Sequence, residues 1–123
     1  MLTPARRSTP EFLDDLSTDL ADVATSAAEI VTCNRLFGGT AALLAELRPL
    51  WPSLRPRAAL LDVGCGVGDL AAAARASAAA AGVDLTVYAL DRRDLLASRA
   101  AERGGTAMVA DAFAIPLRDG SVD

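Results

Sequence analysis

The residues of this chain best suited to chemistry lie in one stretch, Leu60-Leu61-Asp62-Val63-Gly64-Cys65-Gly66-Val67-Gly68-Asp69-Leu70. Glycines at every second position let a backbone turn tightly and approach a ligand without interference from Cβ atoms. Glycine turns of this kind commonly cradle phosphates, but the charges here oppose that use. Asp62 and Asp69 put a carboxylate at each end of the turn, where a pyrophosphate would be repelled and an ammonium or sulfonium attracted. The spacing also departs from a dinucleotide fingerprint, whose third small residue would fall at Asp69. These two observations disfavour an NAD-dependent oxidoreductase. Cys65 sits inside the turn, and the chain has no histidine to activate it, so packing is its expected role. Asp69 is an acid that the dipole of the helix it opens would favour on its own.

The rest of the composition narrows the chemistry further. With no histidine, the commonest general base and the commonest metal ligand are both missing. Cys33 and Cys65 form neither a disulfide framework nor a zinc pattern. The net charge is −4, and the largest basic blocks are Arg6-Arg7 and Arg92-Arg93, which argues against a nucleic-acid partner. The small-residue run over 70–81 contains Arg75 and is too short and too weakly apolar to span a membrane. Residues 1–7 lead into Ser8, Thr9, Pro10 and Glu11 with no apolar run, so no secretory signal is expected and a cytoplasmic location is.

Elements are needed to hold the glycine turn in place. A length of 123 residues allows one small domain. After a frayed leader over 1–10, the spacing of Phe12, Leu16, Leu20, Val23, Ala27 and Ile30 predicts a helix beginning at Glu11. Residues 34–40 should break it. Thr40 should cap a second helix over 41–50, and Pro52 and Pro56 mark a linker. From residue 58 the pattern becomes strand 58–63, helix 69–81, strand 85–90, helix 94–103 and strand 106–110. A β-α-β-α-β order predicts an α/β fold, the first half of a doubly wound parallel sheet, preceded by an N-terminal helical cap over 1–50. Right-handed crossovers put both helices on one face, and nothing else in the sequence is expected to cover the other. Self-association through the exposed edge of the 58–63 strand is the expected consequence.

With its strands in place, the segment 58–123 resembles the class I S-adenosylmethionine-dependent methyltransferases, a Rossmann-like family. Leu61 to Gly68, with Asp62, Gly64, Cys65, Gly66 and Gly68, is similar to the family's first motif, whose loop wraps the methionine half of the cofactor. Asp91, 23 residues beyond Gly68, resembles the acid that holds the ribose hydroxyls. Asp111-Ala112 resembles the pair that meets the adenine. The run Ile115-Pro116-Leu117-Arg118-Asp119-Gly120-Ser121-Val122-Asp123 resembles the one that leads into a fourth strand. The family often has a small or apolar residue after the ribose acid, whereas this chain has Arg92-Arg93. Either guanidinium stacks on the adenine plane, or both point to water. Asn34-Arg35-Leu36-Phe37-Gly38-Gly39 is similar to a segment of the ubiquinone and menaquinone C-methyltransferases, in which N-terminal helices cap the cofactor. There Asn34-Arg35 would either touch the substrate or pair locally. The resemblance implies S-adenosylmethionine as cofactor and methyl transfer to a small-molecule acceptor, with this chain as the cofactor-binding half and an incomplete Rossmann-like domain over 58–123. It implies no catalytic residue among these. The alternative is a truncated, non-catalytic fragment or interaction module.

Overall fold

The second strand organises the molecule because it carries apolar side chains on both faces. In the computed structural model, which describes residues 11–123, β2 (Asp84–Asp91) lies between β1 (Arg57–Val63) and β3 (Thr106–Val109). The leader expected over 1–10 lies outside the described residues. Both pairings are parallel, with Ala58 opposite Leu85, Leu60 opposite Val87 and Leu90 opposite Met108. Leu85, Val87 and Ala89 point to one face, where α3 (Asp69–Ala80) and α4 (Asp94–Glu102) cover them. Alanine is what lets these helices come so close. Ala71, Ala74 and Ala78 of α3 are buried, as are Leu96, Ala97 and Ala100 of α4. The predicted β-α-β-α-β order therefore holds, with strand ends shifted by no more than one residue.

The N-terminal half differs from expectation in where its helices begin. α1 (Leu20–Leu36) starts at Asp19, whose carboxylate accepts a hydrogen bond from the Ala21 N–H at 2.8 Å. It does not start at Glu11. Asp15 instead accepts from the Ser17 N–H and hydroxyl at 2.9 and 2.6 Å, a local turn that competes with helix. α1 also runs through Asn34, Arg35 and Leu36, which were expected to break it, and stops before Gly38, a glycine with φ +86°. Gly38, not Thr40, then precedes α2 (Gly39–Leu47), which passes into a 3-10 helix, Arg48–Ser53. The expected linker is thus partly helical, and Trp51 within it is buried, its Nε1–H donating to the Ser77 hydroxyl at 3.0 Å.

Val23 and Ala27 of α1 pack with Leu96 of α4, and α2 packs on α3. The capping helices therefore add a layer on the helix side of the sheet. The opposite face carries Leu61, Tyr88, Leu90 and Met108, together with Val63, which is 47% exposed. β1 forms one edge of the sheet. On its outer side the Asp123 N–H donates to the Ala59 carbonyl at 2.9 Å, while the Asp123 carboxylate accepts from the Ala59 N–H at 3.0 Å and from Arg55 at 2.7 Å.

Candidate functional site

Two loops at the carboxyl ends of β1 and β2 build the site, the position where open parallel sheets bind ligands. The first is the glycine turn. Its Gly64 and Cys65 N–H groups both donate to the Leu90 carbonyl, at 2.8 and 3.0 Å. The Gly66 N–H donates to Asp91 Oδ2 at 3.0 Å, and Asp91 Oδ1 accepts from the Arg93 N–H at 2.9 Å. Four main-chain hydrogen bonds thereby fix the turn against the end of β2 and orient the Asp91 carboxylate. Gly64 and Gly66 adopt φ +73° and +52°, and a Cβ built on either would meet open space. Gly68 has a different task. A Cβ there would fall 2.8 Å from Ala100 Cβ and 2.9 Å from Ala100 Cα, so this glycine permits α3 to begin against α4.

Above the turn is a cavity of about 390 Å³. It brings together Gly64, Cys65, Gly66, Asp91, Arg92 and Ala112 of the predicted residues. Asp62, Gly68 and Asp111 are not among its lining residues. Asp111 lies on the exposed surface, its Oδ1 accepting from the Phe113 N–H at 2.9 Å and its Oδ2 3.9 Å from Arg92 Nε. A family described as "Methyltransferase domain" matches residues 61–123, which span the glycine turn, Asp91 and Asp111. The chain belongs to this family. Neither the curated proteins nor the solved structures gave a match.

The class I S-adenosylmethionine-dependent methyltransferase domain so identified lines its cavity with Asp14, Asp69 and Asp91 as well as Arg92 and Arg93, and gathers its carboxylates beside the glycine turn. Burial, and then the neighbouring carboxylates of Asp69 and Asp91, push the Asp62 carboxyl above the usual range. The Cys65 thiol is buried with Ala89 and Ala100 and lies 3.4 Å from the Gly66 carbonyl. Its burial, with Asp91 and Asp62 nearby, raises it to about 12. A thiol held protonated in this way is no nucleophile at neutral pH. Among the described residues, no group of three or more His, Cys, Asp or Glu is placed to hold a metal ion, and no helix is long and apolar enough to cross a membrane.

Three features of the methyltransferase domain were not visible in its motifs. Asn34 of α1 lines the cavity and donates from Nδ2 to Asp69 Oδ2 at 3.0 Å, a partner 35 residues away, so Asp69 ties the cap to the glycine turn besides opening α3. Leu13, Leu16 and Ile30 complete the cavity wall. The arginines also part company. Arg92 stays at the surface beside Asp111, whereas Arg93 is 6% exposed and hydrogen-bonds the carbonyls of Leu13 and Asp15. The alternative in which both point to water is therefore corrected. The main-chain oxygens of a sequence-distant turn draw Arg93 inward.

Proposed function

We propose that this methyltransferase domain binds S-adenosylmethionine in the cavity between the glycine turn and α1, and that it serves methyl transfer to a small organic acceptor in the cytoplasm. The observation that carries this reading is the fixed Asp91 carboxylate. It stands at the cavity wall beside two glycines whose missing Cβ atoms leave room for a ligand. Two main-chain donors hold its oxygens in place and leave lone pairs for ribose hydroxyls. Gly64, Cys65 and Gly66 offer their backbone to the methionine half. Ala112, with Asp111 just beyond it, stands where the adenine edge would lie. Asp69 and Asp91 at the cavity wall, with Asp62 close to both behind it, supply a negative field that suits an ammonium and a sulfonium.

When bound, the cofactor would supply a sulfonium methyl for in-line attack by an acceptor lone pair, the S–C electron pair leaving with the sulfur of neutral S-adenosylhomocysteine as the new bond forms. The chain's own part is to orient and to exclude water. Leu13, Leu16 and Ile30 give the cavity an apolar wall for that purpose. The residues named here supply no general base, and Cys65 keeps its proton. The chain is read as the cofactor-binding part of the site, with the acceptor-facing residues elsewhere.

Calorimetric titration with S-adenosylmethionine, S-adenosylhomocysteine and NAD tests this reading. The first two should bind to a single site and NAD should not. Tighter binding of NAD, or no binding of either sulfur compound, would refute it.

A further inference from the structure

Arg93 is a buried cation without an obvious reason to be there. It occupies the N-cap position of α4, where the helix dipole disfavours positive charge, and its side chain makes no capping bond. Among the described residues, no carboxylate lies within ion-pair distance of it. Its guanidinium instead donates from Nε to the Leu13 carbonyl at 2.8 Å and from a terminal nitrogen to the Asp15 carbonyl. Burying a guanidinium is costly unless its donors are satisfied, so this arrangement has to be held in place by its geometry.

The turn that receives these bonds has little else to hold it. Over residues 11–18 the remaining hydrogen bonds are local. Asp14 and Asp15 donate to Glu11, Thr18 donates to Asp15 and Phe12, and Ser17 donates to Asp15. Arg93 provides the hydrogen bonds that join this turn to a distant element, and Leu13 adds packing against the Val23, Ala27 and Leu96 cluster. Leu13, Asp14 and Leu16 of the turn line the cavity. At its other end the Arg93 N–H fixes Asp91 Oδ1. One residue therefore touches both the acid at the cavity wall and the segment opposite it.

We propose that Arg93 is a positioning residue that latches the 11–18 turn over the cavity and couples the order of that turn to a ligand held at Asp91. The coupling rests on the cofactor reading above; the latch itself does not. The fork geometry of arginine is essential to it, because the bonds leave from two different nitrogens in one rigid plane, a pair that the single ammonium nitrogen of lysine does not reproduce.

Amide exchange on the parent and on Arg93→Gln and Arg93→Lys, with and without S-adenosylhomocysteine, tests both statements. In the ligand-free parent the Asp14, Asp15 and Thr18 amides should be protected. Both variants should speed their exchange roughly tenfold while the buried strands stay as protected as before. In the parent, ligand should slow these same amides further. In the variants that slowing should disappear and affinity should fall about three- to tenfold. Arg93→Lys, which keeps charge and bulk, carries the test if Arg93→Gln unfolds. Unchanged exchange over 11–18 in Arg93→Lys would overturn the latch. So would a lower melting temperature with the ligand-dependent slowing intact, since that would be a purely structural role. If S-adenosylhomocysteine does not bind the parent, the cofactor reading and the coupling both fall, and ligand-free exchange still decides the latch.

Discussion

Asp62 shows how a single residue can favour ligand binding over stability. Burial and the neighbouring Asp69 and Asp91 raise its carboxyl above 3.8, so the folded chain holds this proton more tightly than the unfolded chain does. Its contribution to stability is therefore complete below pH 3.8 and is lost as pH rises through the raised folded value. Asp62→Asn should raise the melting temperature at pH 7, and the gain should vanish in scans below that window. The same variant should bind S-adenosylmethionine more weakly, because Asp62, close to the cavity-lining Asp69 and Asp91, no longer adds to the negative field behind the glycine turn. Asp91→Ala should weaken S-adenosylhomocysteine by about 1–3 kcal/mol in calorimetry, since a charged acceptor is lost. Gly66→Val should be worse, because a branched side chain at φ +52° strains the turn and fills the space above it. For Cys65 the sign runs toward alkaline pH. A thiol raised from 9.0 to about 12 contributes fully to the folded state below pH 9, and that contribution is lost as pH rises from there through the folded value of about 12. Iodoacetamide at pH 8 should therefore label exposed Cys33 at once and buried Cys65 only after unfolding.

At the scale of elements, steric fit separates glycines that look alike in sequence. Gly68 and Gly82 both adopt positive φ, at +73° and +81°, but only Gly68 faces a neighbour, Ala100, at collision distance. Denaturant melts should show Gly68→Ala losing about 2–4 kcal/mol and Gly82→Ala only about 1 kcal/mol, the backbone strain alone. Equal losses would mean that α3 and α4 separate more readily than their contact implies. The strands and helices from residue 57 onward were legible because each turn between them carries its own chemistry, such as Gly82 after α3 or Gly104 after α4. The glycine turn and Asp91 were legible for the same local reason. The start of α1 was not, because two aspartates compete for it. Asp15 closes a turn with Ser17 and Asp19 caps the helix, and the apolar spacing runs through both. Arg93 was invisible in sequence for a different reason. Its partners are main-chain oxygens 78 and 80 residues away, and backbone atoms leave no mark on residue type.

For the molecule as a whole, α3 and α4 cover one side of the sheet, and on the other side Leu90 is buried while Val63 stays half-exposed. Ala59, Leu61 and Val63 alternate outward along the outer edge of β1, and Asp123 meets this edge at Ala59. The face bearing Val63, Tyr88 and Met108 is apolar and partly exposed. Exposed strand edges next to apolar surface template pairing with another chain. Light scattering on a size-exclusion column should therefore show association that grows with concentration and is reduced by a lysine at Leu61. A monomer at every concentration would mean the edge is adequately shielded by its own chain. The one-sided layering also determines what light can report about this protein. The single tryptophan, Trp51, is sealed among Ala58, Ala71, Leu85 and Val87 and bonded to Ser77, and it is not among the residues lining the cavity. Its emission should be blue-shifted in the native chain, should move to the red in step with loss of the β1–α3 core, and should stay unchanged in wavelength and intensity as ligand fills the site. Intrinsic fluorescence will thus follow unfolding faithfully and be blind to binding.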